Sequence, residues 1–527
     1  MGSICQSHSC AIEYTTQLST SVNFLKPLID HQQDDEVIEE SLSPTDFEKE
    51  FTTTKSMVPK SPDVMQKSPS SSPTPNDSVV IQKFHVTSDD FVKFRYENVA
   101  DSYQIERSLG SGSYGEVFIV RNKQTNQLRA MKQIKRQQSS MSKKALREME
   151  ILSKLDHPFI VKAIEVFQDE QSQNMILELL QGTDIQEDIQ NNHSFTEEKA
   201  ANIGYQLLLA ISYIHNQDVV HRDIKPENIL YQYNNGNTYI KLIDFGISTE
   251  IKKNRKLSSQ LGSMYFMAPE IFSKDYGKQI DIWACGVTLF YMVHKRYPFM
   301  GRTNQEMKNA IKSGKFSFDK YISLELQCLL CKMLQINPNK RITALQALQE
   351  DWFVKHKFAG QINQQLIFKL INYHSTTLFE ELIFSLITYF FHNSDDHGSA
   401  IQTFLYLDAD QDGQISKQEF KKSLYQLDLP NSNQQIDDLY ATLNKQSDDT
   451  LTYKVEFLAA SVARDKIQTK KCQKFCFQLI DHDEDGKISE SDFCHLMGKN
   501  HSNLWHLLNP SDSLYITEEE FYSMFKS

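Results

Sequence analysis

The sequence predicts an α+β chain in which a small β lobe is followed by a large helical lobe and then by an all-α region. Three observations predict this order. Short alternating strands lie between residues 103 and 135, helical periodicity begins near residue 140, and acidic loops recur about every 35 residues beyond Phe358. The last of these strands is predicted at 128–135, and the apolar stretch 378–391 is predicted to be a buried helix. Because the 527-residue chain is too long for one hydrophobic core, we expect several domains.

Composition limits the class of protein. Apolar residues make up 40% of the chain and charged residues 24%, which is typical of folded domains. The net charge of −12 argues against a general nucleic-acid-binding protein, because such proteins need clustered positive charge. Eight widely spread cysteines favour a reducing, cytoplasmic location. Cys328 and Cys331 form a C-x-x-C in an apolar helical stretch, where we expect them to pack rather than to bind zinc.

Residues 1–100 are rich in Ser, Thr, Gln and Pro and are predicted to form a disordered tail. Its first residues are compatible with myristoylation of Gly2 and palmitoylation of Cys5, although Gln6 stands where Ser or Thr is preferred. One acyl chain anchors only weakly, so we expect a cytoplasmic protein with at most partial membrane association. An unmodified tail is the alternative.

A glycine-rich turn joins the first two predicted strands. Gly110, Gly112 and Gly115 form G-x-G-x-x-G, followed by Val117, and glycine lets the backbone close over phosphates without side-chain interference. In dinucleotide-binding folds this motif opens a helix, whereas here it lies between two strands. The context therefore favours a loop that covers the phosphates of ATP.

Further motifs follow in a fixed order. Lys132 lies in the third strand and Glu148 in the next helix, where a carboxylate can hold a phosphate-binding lysine. The chain continues with His221-Arg222-Asp223-Ile224-Lys225-Pro226-Glu227-Asn228, then Asp244-Phe245-Gly246 and Ala268-Pro269-Glu270. In identity, order and spacing these motifs resemble the eukaryotic protein kinase superfamily over residues 103–353. The resemblance implies a bilobal protein kinase fold.

The same resemblance implies a role for each matching residue. Asp223 is expected to be the catalytic base and Lys225 to steady the γ-phosphate, while Asn228 and Asp244 hold Mg²⁺. Lys132, paired with Glu148, is expected to fix the ATP phosphates. Lys225 and the pair Gly262-Ser263 are typical of serine/threonine kinases, although Ser263 stands where threonine is usual and should keep the hydroxyl function. Glu270 is expected to pair with Arg341. The nucleotide site implied by the resemblance comprises Leu109, Gly110, Gly112, Gly115, Val117, Ala130, Lys132, Leu177, Glu178, Leu180, Asp184 and Leu230. By the same resemblance, Val117, Ala130 and Leu230 are expected to sandwich the adenine, and Asp184 is expected to contact the ribose. Leu177 is expected to precede the hinge, residues 178–180, which connects the two lobes.

Two acidic loops in the C-terminal region have the spacing of calcium-binding EF-hand loops. The first matches the pattern D-x-D-x-D-G-x-I-x-x-x-E throughout, with Gly413 at the sharp turn. The other differs by Asp492 in place of the final glutamate, and this shorter side chain is expected to weaken Ca²⁺ binding or to favour Mg²⁺. The predicted ligands are Asp408, Asp410, Asp412, Gln414 and Glu419 in the first loop, and Asp481, Asp483, Asp485, Lys487 and Asp492 in the other.

Two further repeats have degenerate loops. The loop around 444–456 lacks the glycine and carries one extra residue, and the loop at 509–520 has serine and leucine where acids and glycine belong. We expect both to keep the helix-loop-helix fold without an ion. Since EF-hands pair, each intact loop should have an inactive partner.

A kinase domain, a helical junction and four EF-hand-like repeats on one chain resemble the calcium-dependent protein kinase family. The resemblance divides the chain into a tail at 1–100, a kinase domain at 103–353, a junction at 354–400 and a calmodulin-like domain at 401–527. In that family the junction blocks the kinase until calcium reorganises the helices. We therefore hypothesise that calcium exposes an apolar groove that captures the junction.

We expect a monomeric, calcium-regulated kinase that uses ATP, Mg²⁺ and Ca²⁺ to phosphorylate Ser and Thr of protein substrates. Glu227 and Asp184 could favour arginine upstream of the target residue, as in related kinases. A constitutive kinase whose EF-hand region serves targeting or calcium buffering is the open alternative. A calcium buffer with an inactive kinase fold is disfavoured by the intact Lys132, Asp223 and Asp244.

Overall fold

The computed structural model describes most of the chain beyond the N-terminal tail. The predicted tail and its acylation sites Gly2 and Cys5 lie outside the described residues. The described ranges are 92–112, 115–135, 141–169, 171–191, 195–234, 237–251, 257–259, 261–356, 362–371, 378–391, 397–426, 433–444, 450–461, 469–497, 505 and 513–525.

The small lobe is built on a mixed six-stranded sheet. Its strand order is β1-β5-β6-β4-β3-β2. Apart from β1, which runs parallel to β5, neighbouring strands are antiparallel. Strand β4 begins and ends where the sequence predicts it, while the short β1 precedes the predicted domain. The strands are β1 (Lys93–Arg95), β2 (Tyr103–Gly112), β3 (Gly115–Asn122), β4 (Leu128–Lys135), β5 (Ala163–Gln168) and β6 (Ser172–Leu177).

The turn between β2 and β3 requires glycine at its last position. Gly115 has a φ of +134°, and a Cβ placed there would lie 2.2 Å from the carbonyl oxygen of Gln133. A side chain would therefore strain the backbone and collide with β4. The residues at the tip of the turn, Ser113 and Tyr114, lie outside the described residues.

The large lobe is mainly helical. Helices α4 and α5 pack against each other and are buried along most of their length. Thr196 caps α4 by accepting a hydrogen bond from the backbone N–H of Lys199. The helices of the two lobes together are α1 (Val99–Ser102), which precedes β2, α2 (Met141–Lys154), α3 (Ile185–Asn191), α4 (Glu197–Asn216), α5 (Gln279–His294), α6 (Asn304–Ser313), α7 (Leu324–Met333), α8 (Ala344–Leu348) and α9 (Asp351–Lys355).

Two pairs of short strands complete the large lobe. Strand β7 pairs with β10, and β8 pairs with β9, both antiparallel. They carry the segments that contain the predicted catalytic motifs. Their bounds are β7 (Val219–Val220), β8 (Ile229–Asn234), β9 (Asn237–Leu242) and β10 (Thr249–Glu250).

The C-x-x-C pair does not pack as expected. Cys328 and Cys331 lie on the exposed face of α7, whereas Leu326, Leu329 and Leu330 form its buried face. The helical period places residues three apart on the same side, so both thiols point away from the core. The prediction that these cysteines pack is therefore wrong.

The remaining helices form the junction and the EF-hand region. The helix α11 is the buried helix predicted from its apolar sequence, and the structure adds short strands between paired loops. The helices are α10 (Gln364–Ile371), α11 (Leu378–Phe391), α12 (His397–Leu407), α13 (Lys417–Gln426), α14 (Asn433–Leu443), α15 (Ala459–Ser461), α16 (Lys470–Ile480), α17 (Glu490–Met497) and α18 (Glu518–Ser523). The strands are β11 (Ile415–Ser416), β12 (Thr450–Leu451), β13 (Lys487–Ser489) and β14 (Tyr515–Thr517).

Each intact loop is joined to a degenerate one by its short strand. Ile415 lies opposite Leu451 in the first pair, and Ile488 lies opposite Ile516 in the second. The predicted pairing of intact and degenerate loops is confirmed.

Within the described ranges, every helix is too short or too polar to cross a bilayer.

Candidate active site and calcium loops

Lys132 on β4 is held by two carboxylates. Its ammonium group lies 2.8 Å from Oε1 of Glu148 on α2 and 2.9 Å from Oδ1 of Asp244. Burial opposes the charge on Lys132, but the two carboxylates outweigh it and raise its pKa. Lys132 therefore stays positively charged at neutral pH, as a group that binds phosphates must.

The predicted base, Asp223, lies at the centre of a hydrogen-bonded cluster. Its Oδ2 accepts a bond of 3.0 Å from the side-chain amide of Asn228 and lies 2.9 Å from the ammonium of Lys225. Its Oδ1 faces the backbone N–H of Ser263 at 3.4 Å. Asn228 also donates to the backbone carbonyl of Asp223, at 2.8 Å, which fixes the orientation of its amide. The structure thus brings Asp223, Lys225 and Asn228 together as the motif implies.

Asn228 and Asp244 have the donor chemistry of a magnesium site. The amide nitrogen of Asn228 is committed to Asp223, so its oxygen is the atom left for a cation. Asp244 supplies a carboxylate whose pKa is lowered, because Lys132 outweighs the effect of burial. Amide and carboxylate oxygens are the ligands that Mg²⁺ prefers. The two residues fit this ion.

Neighbouring strands place the predicted adenine-site residues next to one another. Ala130 lies opposite Leu177, and Gly110 lies opposite Val117. Leu230, on β8, forms a bridge with Asp184, the predicted ribose contact. Asp184 also accepts a 2.8 Å bond from the backbone N–H of Glu187 and so caps α3. Leu109 and Gly112 lie in the second half of β2, and Glu178 and Leu180 follow β6.

The first calcium loop is arranged for a cation. Side-chain oxygens of Asp408, Asp410 and Asp412 all lie within 4.8 Å of one another. Glu419 accepts bonds from the backbone N–H groups of Asp410 and Ser416, both at 2.9 Å, which turns its carboxylate towards the loop. Gln414 is anchored through its backbone N–H to Asp412 at 2.8 Å. Three carboxylates so close together repel one another unless a cation lies between them.

The other acidic loop has a similar cluster. Oxygens of Asp481, Asp483 and Asp492 lie within 4.8 Å of one another, and Oδ1 of Asp481 is buried with no hydrogen-bond partner among the described residues. Asp492 accepts from the backbone N–H of Ser489 at 2.8 Å, as Glu419 does from Ser416. The backbone N–H of Lys487 donates a 2.8 Å hydrogen bond to the carboxylate of Asp485 in this loop. A buried carboxylate oxygen without a partner fits a cation ligand.

Comparisons with known proteins decide the family. A model of the protein kinase domain matches residues 103–353, and an EF-hand model matches residues 401–425 and 473–497. The chain is 31% identical over 450 residues to calcium-dependent protein kinase 5 of Plasmodium falciparum (isolate 3D7), covering 81% of this chain and 78% of that relative. It is 32% identical over 412 residues to calcium-dependent protein kinase 3 of Plasmodium berghei (strain Anka), with coverages of 76% and 73%. The chain belongs to the calcium-dependent protein kinase family.

The kinase is a calcium-regulated serine/threonine protein kinase that uses ATP and Mg²⁺, with protein substrates. This confirms the predicted fold class, reaction and cofactors. The predicted Glu270–Arg341 ion pair is also present, with a shortest distance of 2.5 Å and Arg341 fully buried.

Sequence reasoning missed one residue of the kinase site, Asp281 at the start of α5. Its buried carboxylate accepts bonds of 2.9 Å from the backbone N–H groups of both His221 and Arg222. Arg222 has a φ of +72°, an unfavourable value for a residue with a side chain. Asp281 therefore pins the strained backbone that precedes Asp223. A single acid in the otherwise apolar sequence of α5 is the signal that could have revealed it.

The calcium loop of the first EF-hand lies directly on the large lobe of the kinase. A Cβ at Gly413 would lie 2.6 Å from Cδ2 of Tyr213 and 3.1 Å from Cδ2 of His157. The side chain of Gln411 donates a 2.7 Å bond to the hydroxyl of Tyr205 on α4. The first calcium site and the kinase domain therefore share a packed surface.

The extra residue of the second repeat is absorbed by a π-helical turn, Tyr453–Leu458, directly after β12. Glu456 in this turn accepts a 2.7 Å bond from the backbone N–H of Thr452, in the same way that Glu419 binds Ser416. A single π-turn adds one residue per hydrogen-bonded ring, so it shifts the glutamate back into position. The described end of the degenerate loop, residues 450–456, thus keeps the position that pairing requires.

Proposed function

We propose that Asp223 is the catalytic base of the phosphoryl transfer. It accepts the proton of a substrate hydroxyl as that oxygen bonds to the γ-phosphorus and the bond to the ADP oxygen breaks. Lys225 balances the charge beside it, and Lys132 holds the phosphates. Mg²⁺ bound by Asn228 and Asp244 would supply charge that neutralises the phosphate oxygens. The observation that carries this proposal is the hydrogen-bonded cluster around Asp223.

An Asp223→Asn variant tests the assignment. It keeps the shape of the side chain but loses its basicity, so kcat should fall by about 10²- to 10⁴-fold while ATP binding is retained. Asp275→Asn, at an exposed acid of the same lobe, serves as the control and should leave kcat unchanged. Retention of more than a tenth of the activity by Asp223→Asn would contradict the assignment.

We propose that calcium acts through the loops that begin at Asp408 and Asp481. The packing of the first loop on the large lobe supports a direct route from calcium to the kinase. The domain limits predicted from the sequence, with a junction at 354–400, are part of this proposal. The described junction helices contact both the EF-hand region and the kinase. For example, the hydroxyl of Tyr239 on the kinase donates a 3.1 Å hydrogen bond to the backbone carbonyl of Gly398.

We propose that substrates carry arginine on the N-terminal side of the phosphorylated residue. Glu227 is exposed and directly precedes Asn228, and Asp184 lies close enough that the two charges interact. Clustered negative charge at the mouth of the site attracts a guanidinium group. Citrulline has nearly the same shape as arginine without the charge. Replacing the upstream arginines of a peptide substrate by citrulline should therefore raise its KM several-fold. An unchanged KM would contradict this preference.

We propose a cytoplasmic monomer with partial membrane association through acylation of Gly2 and Cys5. The sequence at the N-terminus supports this, and two acyl chains hold a protein at a membrane where one does not. Labelling of cells with an alkynyl myristate should mark the wild-type protein and not Gly2→Ala. Light scattering on purified protein should give the mass of one chain.

A further inference from the structure

The junction helix α11 contacts the small lobe of the kinase through Tyr389. The hydroxyl of Tyr389 donates a 2.6 Å hydrogen bond to the backbone carbonyl of Ala163. The ammonium of Lys162 donates to the backbone carbonyl of Tyr389 and lies 3.8 Å from the centre of its ring. Tyr389 is 4% exposed, so these contacts are made away from water, where they are strongest.

Ala163 and Lys162, the two residues bonded to Tyr389, lie next to residues of the predicted nucleotide site. Ala163 lies opposite Leu177, the residue that precedes the hinge, and Leu177 in turn lies opposite Ala130. Lys162 is tied to Glu178, the first hinge residue, by two bonds. Its N–H donates to Oε1 of Glu178 at 2.7 Å, and the N–H of Glu178 donates to its carbonyl at 3.0 Å.

The hinge is also supported from the large lobe. The ammonium of Lys241 lies 2.9 Å from Oε1 of Glu178 and 3.3 Å from the carbonyl oxygen of Ile160. Lys241 lies opposite Leu230, the predicted floor of the adenine site. Leu177 therefore pairs with the residue that Tyr389 binds and with Ala130, and Leu230 pairs with the lysine that binds the hinge glutamate.

The other side of α11 belongs to the calcium-sensing half. The helix packs against the π-helical turn of the second EF-hand, against α15 and against α16. Its buried apolar residues, including Ile383, Phe384 and Ile387, contribute to this packing. Tyr389 therefore stands near the end of a helix that packs on the EF-hand region.

We propose that Tyr389 is a positioning residue for ATP, through which the calcium-sensing half holds the hinge in its nucleotide-binding geometry. It acts through Ala163, Lys162 and Glu178. ATP affinity then depends on how the EF-hands hold α11. By linkage, a calcium effect on ATP binding must be matched by an equal effect of ATP on calcium binding.

The test is the binding of a nonhydrolysable ATP analogue with Mg²⁺ to the full chain, without protein substrate, at saturating calcium and in chelator. Tyr389→Phe keeps the ring and loses only the hydroxyl. At saturating calcium it should weaken analogue binding by about two- to tenfold, the effect of one buried hydrogen bond, and in chelator it should equal the wild type. In the wild type the analogue should raise calcium affinity by the same factor by which calcium raises analogue affinity.

Two further variants separate positioning from general stability. Tyr440→Phe removes a matched bond, 2.9 Å from a buried tyrosine hydroxyl to the carbonyl of Ile415 inside the EF-hand region, and should not change analogue affinity at saturating calcium. Lys162→Met keeps the length of the side chain and breaks the contact with Tyr389 from the kinase side. It should reproduce the effect of Tyr389→Phe, so the proposal can still be tested if the tyrosine variant misfolds. Equal analogue affinity in wild type, Tyr389→Phe and Lys162→Met at saturating calcium would overturn the proposal. So would a fall in melting temperature without a change in this affinity. Because substrate phosphorylation is not measured, neither result bears on the kinase activity itself.

Discussion

The side chain of Gln411, inside the first calcium loop, donates a 2.7 Å hydrogen bond to the hydroxyl of Tyr205 on the kinase. Burial and the nearby charge of Asp408, a predicted calcium ligand, raise the pKa of Tyr205 to about 12. A tyrosine hydroxyl of the kinase and an acid of the calcium site therefore lie in one electrostatic environment. We therefore expect binding of calcium to this loop to be coupled to its packing on the large lobe.

Tyr205→Phe should raise the calcium concentration needed for half-maximal activity by about two- to tenfold, since it removes one hydrogen bond from the docked loop. The rate at saturating calcium should stay the same, because Tyr205 lies outside the catalytic cluster. A calcium titration of peptide phosphorylation measures both. Tyr425→Phe, at an exposed tyrosine of α13, is the control. An unchanged midpoint in Tyr205→Phe would mean that docking contributes nothing to calcium sensing.

Calcium binding to the first loop should weaken as the pH falls through 6. Burial, assisted by the charges of Asp410 and Glu419, raises the pKa of Asp412 to about 6 in the calcium-free chain. Below that pH the carboxyl binds a proton that calcium must displace, so affinity falls by up to about tenfold per pH unit for each proton released. Above it the Asp412 carboxylate is already ionised, so its own contribution to the pH dependence disappears.

Calorimetric titration with calcium between pH 5 and pH 8 measures this dependence. The Asp481→Ala variant isolates the first loop by removing the other site. Proton release measured in buffers of different ionisation enthalpy should be larger below pH 6 than above pH 7. A flat affinity across the range would show that the acid is already ionised at pH 5.

Asp492→Glu should strengthen calcium binding at the other loop. The longer side chain can bind the ion through both oxygens, and we expect calcium affinity to rise by about tenfold with less competition from Mg²⁺. Titration in the Asp408→Ala background, with and without millimolar Mg²⁺, isolates this loop. If affinity and ion preference stay the same, the aspartate is not what limits the site.

Glu270→Gln should destabilise the kinase domain by about 3–5 kcal/mol, because it leaves the fully buried charge of Arg341 without its partner. Denaturant unfolding of the full chain measures the loss. The matched control is Glu325→Gln, which breaks the exposed pair with Lys355 and should have no measurable effect. Similar stability for both variants would contradict a structural role for the buried pair.

The sequence predicts the local features of this fold well. The strand Leu128–Lys135 and the buried helix Leu378–Phe391 appear with the limits that periodicity and composition indicate. The catalytic cluster could also be predicted, because Asp223, Lys225 and Asn228 lie within six consecutive residues. Motif spacing fixes such neighbours without knowledge of the tertiary structure.

Contacts between distant segments could not be predicted in the same way. Asp281 binds a backbone that lies about sixty positions earlier, and Tyr389 binds a strand more than two hundred positions earlier. A lone buried acid and a tyrosine in an apolar helix carry no periodic signal that names their partners. The exposed Cys328 and Cys331 show the converse, because an apolar stretch alone does not say which face of a helix is buried.

The most direct test of the account is phosphate transfer from ATP and Mg²⁺ to a basic serine peptide, with the purified full chain at saturating calcium and in chelator. The wild type should be active only with calcium, and a double Asp408→Ala, Asp481→Ala variant should remain at the low chelator rate in both conditions. Equal wild-type activity with calcium and with chelator would contradict calcium regulation through these loops while leaving the kinase activity intact.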